Sequence, residues 1–172
     1  DAAIGIDSGA TGNFTFGVAG GSMFLNDNLV ITHNGSGNLI VNRPISSGTG
    51  LTTSLTKDGS GALTLTSANN FNGGFTLNTG TLNINGVNSL GGTVALPGPV
   101  TINGGAIDNT TGSSLVITKL HAYTINGDFS FKGTNALSFN TGPVNLGTAA
   151  GTARAITTDA GTLTIGGIIS NG

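Results

Sequence analysis

Apolar residues in this chain fall at every second position in short bursts, and the bursts recur. Four of them share one phrase: a glycine, Leu two residues on, and Leu, Ile or Val two further. They are Gly37-Asn38-Leu39-Ile40-Val41, Gly61-Ala62-Leu63-Thr64-Leu65, Gly80-Thr81-Leu82-Asn83-Ile84 and Gly161-Thr162-Leu163-Thr164-Ile165. A weaker echo, Gly105-Ala106-Ile107-Asp108-Asn109, loses its last apolar residue. Period-two alternation marks a strand buried on one face, and the glycine before it marks a turn. The glycines at 37, 61, 80 and 105 stand 24, 19 and 25 residues apart. That is the spacing of one coil of a β-solenoid.

The same alternation predicts strands at Gly12–Phe16, Leu29–Thr32, Asn38–Val41, Leu51–Lys57, Ala62–Thr66, Phe75–Asn78, Thr81–Asn85 and Thr93–Leu96. It continues at Val100–Asn103, Leu115–Thr118, Tyr123–Asn126, Phe129–Phe131, Ala136–Phe139, Val144–Leu146, Arg154–Thr157 and Thr162–Ile165. Asn-Gly and Asp-Gly pairs at 34, 58, 72, 85, 103 and 126 supply the corners. Hairpins of a sandwich use the same turns, so the repeat and not the turns selects the solenoid. A longer repeat aligns residues 37–48 with 161–172, and Gly12–Phe16 with Gly127–Phe131. The chain reads as one segment, 1–172, holding one long unit and part of the next, cut from a larger array.

Composition narrows the class. Of 172 residues, 31 are Gly and only 7% are charged, with no Glu, Gln, Cys or Trp. Thr, Asn and Ser fill the polar positions, favouring strands and tight turns over helix. A positive mean hydropathy and regular alternation set the chain apart from glycine-rich disordered sequences. The net charge is −2, and the five basic residues, Arg43, Lys57, Lys119, Lys132 and Arg154, are scattered. No basic patch is present to neutralise phosphates, which disfavours nucleic acid. No apolar run reaches the roughly 20 residues of a membrane helix, and the segment from Asp1 lacks the basic and apolar regions of a secretory signal. Without cysteine, disulfides and thiol chemistry are out of consideration.

The stretch from Leu55 to Ile84 carries Gly61-Ala62-Leu63-Thr64-Leu65, then Asn70-Phe71-Asn72-Gly73-Gly74-Phe75, then Gly80-Thr81-Leu82. It resembles the autotransporter-associated β-strand repeat of bacterial passenger domains, with Phe71 where that family usually has Tyr and Phe75 where it has Thr. The resemblance implies a right-handed parallel β-helix on a bacterial surface or outside the cell. It says little about activity.

Candidate chemistry is sparse. Asp1, Asp7, Asp27, Asp58, Asp108, Asp128 and Asp159 are never neighbours, whereas glycoside cleavage needs two converging carboxylates. Asp108 and Asp128 could meet on adjacent coils, but corner residues accepting backbone hydrogen bonds are the expected reading. His33 and His121 stand in no metal-spaced or triad motif. Asn26-Asp27-Asn28 offers oxygen ligands for Ca²⁺ without the rhythm of calcium-binding β-rolls, and reads as a polar turn. Phe14 with Phe16, and Phe129 with Phe131, share strand faces and read as core rungs more than as a binding surface. The Asn-x-Ser/Thr sequons at Asn13, Asn34 and Asn109 carry no weight in so Asn- and Thr-rich a chain. Outward Thr residues such as Thr64 and Thr164 could form ladders like those of ice-binding solenoids, but uneven coils and interspersed Asn predict a rough lattice.

The expectation is therefore an all-β parallel solenoid of about seven to eight coils with almost no helix, about 35 Å long at about 4.8 Å per coil. It has no catalytic, cofactor or metal site and is not an enzyme. Its function is that of an extracellular stalk or filament module. The parent chain continues beyond it, or copies stack head to tail. Its partners are neighbouring copies or repeats and surface glycans. The alternatives are a carbohydrate-binding or carbohydrate-cleaving β-helix and, as a minor reading, an ice-binding face.

Overall fold

A computed structural model describes residues 1–17, 21–147 and 153–171. The chain winds as a parallel β-solenoid, with no helix among these residues. The first winding carries β1 (Ala2–Ile6), β2 (Phe14–Phe16) and β3 (Met23–Leu25). The second carries β4 (Leu29–His33), β5 (Asn38–Val41) and β6 (Ile45–Ser47). Next come β7 (Leu55–Asp58) with β8 (Ala62–Leu65), then β9 (Phe75–Leu77) with β10 (Thr81–Ile84). The fifth has β11 (Val100–Ile102), β12 (Ala106–Asn109) and β13 (Leu115–Val116), and the sixth β14 (Tyr123–Ile125), β15 (Phe129–Phe131) and β16 (Leu137–Ser138). Finally β17 (Val144–Asn145), β18 (Ile156–Thr158) and β19 (Leu163–Thr164) lead into β20 (Ile169–Ser170).

Every strand pair is parallel and joins one winding to the next. One sheet runs β1-β4-β7-β9-β11-β14-β17-β20 and the second β2-β5-β8-β10-β12-β15-β18. A third side is shorter and interrupted: β3-β6 with a single bridge from Ser46 to Asn70, then β13-β16-β19. The eight and seven strands of the two long sheets make about six turns, slightly fewer than the seven to eight coils expected. Partners stand as few as 19 residues apart at Leu63 and Leu82, and as many as 27 at Ala2 and Leu29.

Alternation within each strand sends every second side chain inward, and the parallel register stacks those side chains in columns. Leu29, Leu55, Phe75, Val100, Tyr123 and Val144 form one column, all buried. Leu39, Leu63, Leu82 and Ile107 form another across the second sheet. Each buried aliphatic or aromatic side chain contributes about 1.5–3 kcal/mol relative to exposure. The repeated glycine has a physical cause at Gly80. Its φ is +75°, and a Cβ there would lie 2.3 Å from the Gly59 carbonyl oxygen of the previous winding. Only glycine fits such a corner.

Some expectations are corrected. Thr93–Leu96 is a turn: the Thr93 amide donates to the Leu96 carbonyl at 2.8 Å, and Val94 is 90% exposed. The flanking Gly92 and Gly98, both at positive φ, bend the chain away before its apolar residues can face the core. The expected strand from Leu51 begins only at Leu55. Strands β1, β3, β6 and β20 escape the pattern because they are short, or carry Ala or Gly where a strong alternator would stand, while the weak echo after Gly105 is strand β12. The phrase at Gly161 lies on the third side, where Leu163 pairs with Leu137, whereas the phrases at 37, 61 and 80 lie on the second sheet. The alignment of 37–48 with 161–172 therefore joins residues of different sides, and Gly172 lies outside the described residues. The pair Gly12–Phe16 and Gly127–Phe131 does share one sheet, through β2 and β15.

Candidate functional site

Side-chain hydrogen bonds follow the same direction as the strand ladders. Asn69, 3% exposed, accepts the Ile45 amide at 2.9 Å and donates to the Ser89 carbonyl at 2.8 Å, tying three windings together. Asn38 and Asn83 both donate to the Thr64 hydroxyl, at 2.8 and 3.0 Å. At the corner after the first sheet, Asn126 donates to Asn103 at 3.0 Å and Asn103 to Asn78 at 2.8 Å. These partners stand 19 to 26 residues apart. Stacked Asn ladders of this kind reinforce parallel, in-register sheets.

Asn109 stands where its phrase lost an apolar residue, at the end of the column Val41, Leu65, Ile84. It is fully buried. Its amide donates to the carbonyls of Ser113 at 2.8 Å and Ala136 at 2.6 Å, and its oxygen accepts from the Thr111 hydroxyl at 2.7 Å.

Two of the five scattered basic residues, both lysines, lie inside. Lys57 is 0% exposed and occupies a core column between Ile31 and Leu77. Its ammonium donates to the carbonyls of Asp58 and Gly59, each at 2.6 Å. Burial lowers its pKa to about 8, against a smaller opposing effect of the Asp58 charge. Lys119 donates to the Gly91 carbonyl at 2.9 Å, and burial lowers its pKa as well. The signal was present in the sequence. From Leu115 to Ile125 each odd position is buried and each even position is more exposed, so Lys119, His121 and Tyr123 share the inward parity. Lys57 likewise shares the parity of Leu55.

The titratable candidates are placed as corner residues. The His33 Nε2–H donates to the Gly37 carbonyl at 2.9 Å while its Nδ1 accepts the Gly35 amide at 3.2 Å. The His121 Nδ1–H donates to the Gly98 carbonyl at 2.9 Å, and its Nε2 is buried without a partner. Burial holds the His121 pKa below the usual imidazole range; the Gly98 bond opposes this and the nearby Lys119 charge reinforces it. The Tyr123 hydroxyl is also buried and unpartnered, and burial raises its pKa. Asp108 accepts the Thr134 amide at 2.9 Å and Asp128 the Ala155 amide at 2.8 Å, so the two carboxylates serve different corners. Asp58 accepts the Gly59 amide at 2.9 Å, and Asp159 pairs with Lys132 at 2.8 Å on the surface. In the Asn26–Asn28 run, the Asn28 oxygen accepts the Ser54 amide at 3.0 Å, as a cross-winding lock. Phe129 and Phe131 are core residues, while Phe14 is 50% exposed, its ring 6.4 Å from that of Phe16. Among the described residues no three His, Cys, Asp or Glu side chains converge, and no pocket opens.

The outer face of the first sheet is more regular than expected. Thr56, Thr76, Thr101 and Thr124 are register partners in four successive windings. Two residues on, at the corner just past the ends of these strands, runs the row Asn78, Asn103, Asn126. Coil lengths of 20, 25 and 23 residues do not roughen this lattice, because the variation is absorbed in the loops of the other sides.

Residues 55–84 match the family model described as passenger-associated-transport-repeat. They run from β7 through β10, crossing each of the two long sheets twice, so the matched unit is one winding and its overlap with the next. No curated protein and no solved structure matches the chain. The matched repeat and the parallel solenoid together fit a passenger-domain repeat module of a surface protein.

Proposed function

We propose, from the passenger repeat that this solenoid carries, that the chain is a stalk or filament segment of a bacterial surface or secreted protein. It acts by being long and stiff and does not turn over a substrate. Adjacent repeats or further copies extend the two long sheets end to end, and the assembled rod supports adhesion. The observation that carries this reading is the common direction of the bonding. Strand ladders, Asn ladders and the Asn69 and Asn109 locks all join a winding to its neighbour along one axis. A load along that axis is shared among ladders on two or three sides of each winding. The low charge of the chain opposes close assembly little.

Antibody-labelled electron microscopy of the native material tests the proposal. Label along thin stalks or threads at the cell surface is the expected outcome. Label confined to the cell interior, or on compact particles, would overturn it. Release of reducing sugar from surface polysaccharide by the purified protein would overturn the non-catalytic part.

A further inference from the structure

The geometry points to a second role for the outer face of the first sheet: the Thr and Asn rows bind ice, through an ordered water layer held on a rigid two-row lattice. This goes beyond the stalk reading and stands or falls independently of it. Three strands end in the same Thr-x-Asn triplet, its Asn at the corner that follows: Thr76-Leu77-Asn78, Thr101-Ile102-Asn103 and Thr124-Ile125-Asn126, with the middle residue buried in each. Thr56 extends the Thr row by one winding. Repeats lie about 4.8 Å apart between windings and about 6.6 Å apart between the Thr and Asn of one strand. The winding spacing is close to the shorter repeat of a prism plane of hexagonal ice, so each winding presents one more lattice row.

The chemistry of the face fits a neutral, flat, hydroxyl-like partner. None of the six Thr and Asn residues of the three triplets is charged. Asp58 stands in the winding before the Asn row. Arg154 lies beyond its other end, donating from Nε to the Ile125 carbonyl at 3.1 Å, so charges of opposite sign bracket the rows and leave the middle uncharged. An uncharged surface does not recruit the strongly oriented hydration shell of an ion, which would compete with the water order of a crystal. Thr offers a hydroxyl beside a methyl, and each Asn in the row keeps amide capacity beyond its ladder bond. Ladder bonds of 3.0 and 2.8 Å hold the Asn amides in place, so little order remains to be imposed on binding. A soluble glycan fits less well. Such ligands are held in grooves or stacked on aromatic rings, whereas no pocket opens among the described residues and the aromatic residues of these strands, Phe75 and Tyr123, are buried in the core.

The test is adsorption of the fluorescently labelled protein to a single ice crystal, with inhibition of ice recrystallisation measured alongside. The wild-type chain is expected to coat prism planes. Thr101→Tyr, which raises a bulky ring from the middle of the Thr row, is expected to reduce recrystallisation inhibition at least tenfold. Asn103→Asp places a charge in the lattice at an exposed position and is expected to do the same; because it also gives up the ladder donation to Asn78, adsorption is compared at a temperature where circular dichroism shows the variant folded. Ile40→Tyr on the second sheet is expected to leave adsorption unchanged. Absence of wild-type adsorption would overturn the proposal. So would equal loss in all three variants, or unchanged adsorption in Asn103→Asp. Retention on microcrystalline cellulose without adsorption to ice would overturn it too, and would assign the face to a neutral polysaccharide.

Discussion

The side-chain oxygen of Asn69 accepts the main-chain N–H of Ile45, 24 residues earlier, at 2.9 Å. With the bond from the same side chain to Ser89, one buried amide spans three windings at the place where the third side is interrupted. Replacing it by an apolar residue of similar size leaves the Ile45 amide and the Ser89 carbonyl without these partners. Asn69→Leu is expected to lower the unfolding free energy by about 2 kcal/mol or more, the cost of stranding buried polar groups. Urea denaturation followed by circular dichroism measures it, and an unchanged midpoint would remove Asn69 from the list of winding locks.

Gly80 makes a separate prediction. A methyl group there meets the carbonyl oxygens of Gly59 at 2.3 Å and Gly61 at 2.5 Å, in a backbone at φ +75°. The left-handed backbone alone costs roughly 1–2 kcal/mol for a residue with a Cβ, and the contacts add to it. Gly80→Ala is expected to cost more than about 2 kcal/mol, whereas Gly9→Ala, with open space around its Cβ, stays close to wild type. Parallel thermal melts of the two variants compare them directly.

Acid should weaken the fold through His121. Its folded pKa is lowered, chiefly by burial, so the unfolded chain takes up a proton near the ordinary value of about 6.5 and the folded chain only at lower pH. The contribution is complete above about pH 6.5 and is lost as pH falls toward the folded pKa. His121→Asn keeps a donor for Gly98 without the titration. The difference in melting temperature between pH 7.5 and pH 5 should be smaller in that variant than in wild type; an equal difference would show that the acid limb has another origin.

Lys57 gives a slope of the same sign in the alkaline range. Its folded pKa of about 8 lies below the ordinary lysine value of 10.5, with burial as the main cause. Between those values the unfolded chain holds a proton that the folded chain has released, so stability rises with pH across the window. Lys119 adds a change of the same sign. Urea midpoints at pH 7.5 and pH 9.5 should rise in the wild type, and rise less in Lys57→Met. A fall with pH in the wild type would contradict the burial of these amines.

Parity was the most legible feature of the chain. Leu63 and Leu65, Leu82 and Ile84, and the odd positions from Leu115 to Ile125 all face inward as alternation requires. The same rule, applied to polar residues, places Lys57, Lys119 and His121 inside. What admitted Lys57 was a set of corner carbonyls supplied by Asp58 and Gly59, bent into range by the turn that follows its strand. β12 showed only as a weak echo because Asp108 and Asn109 look like loop residues. Their partners, Thr134 and Ala136, are contributed by the next winding.

From residue order alone came the strand period, the glycine corners and the coil length, because each depends on neighbours a few positions away or on simple recurrence. The tertiary structure decided which side of the solenoid each phrase occupies, as Gly161 shows by falling on the third side. It also decided that Thr76, Thr101 and Thr124 stand in one row. Both depend on how many residues the loops absorb between strands, and loop length leaves no periodic trace in the chain. Winding-to-winding hydrogen bonds then settle the register, since a slip by one residue would turn every buried column outward.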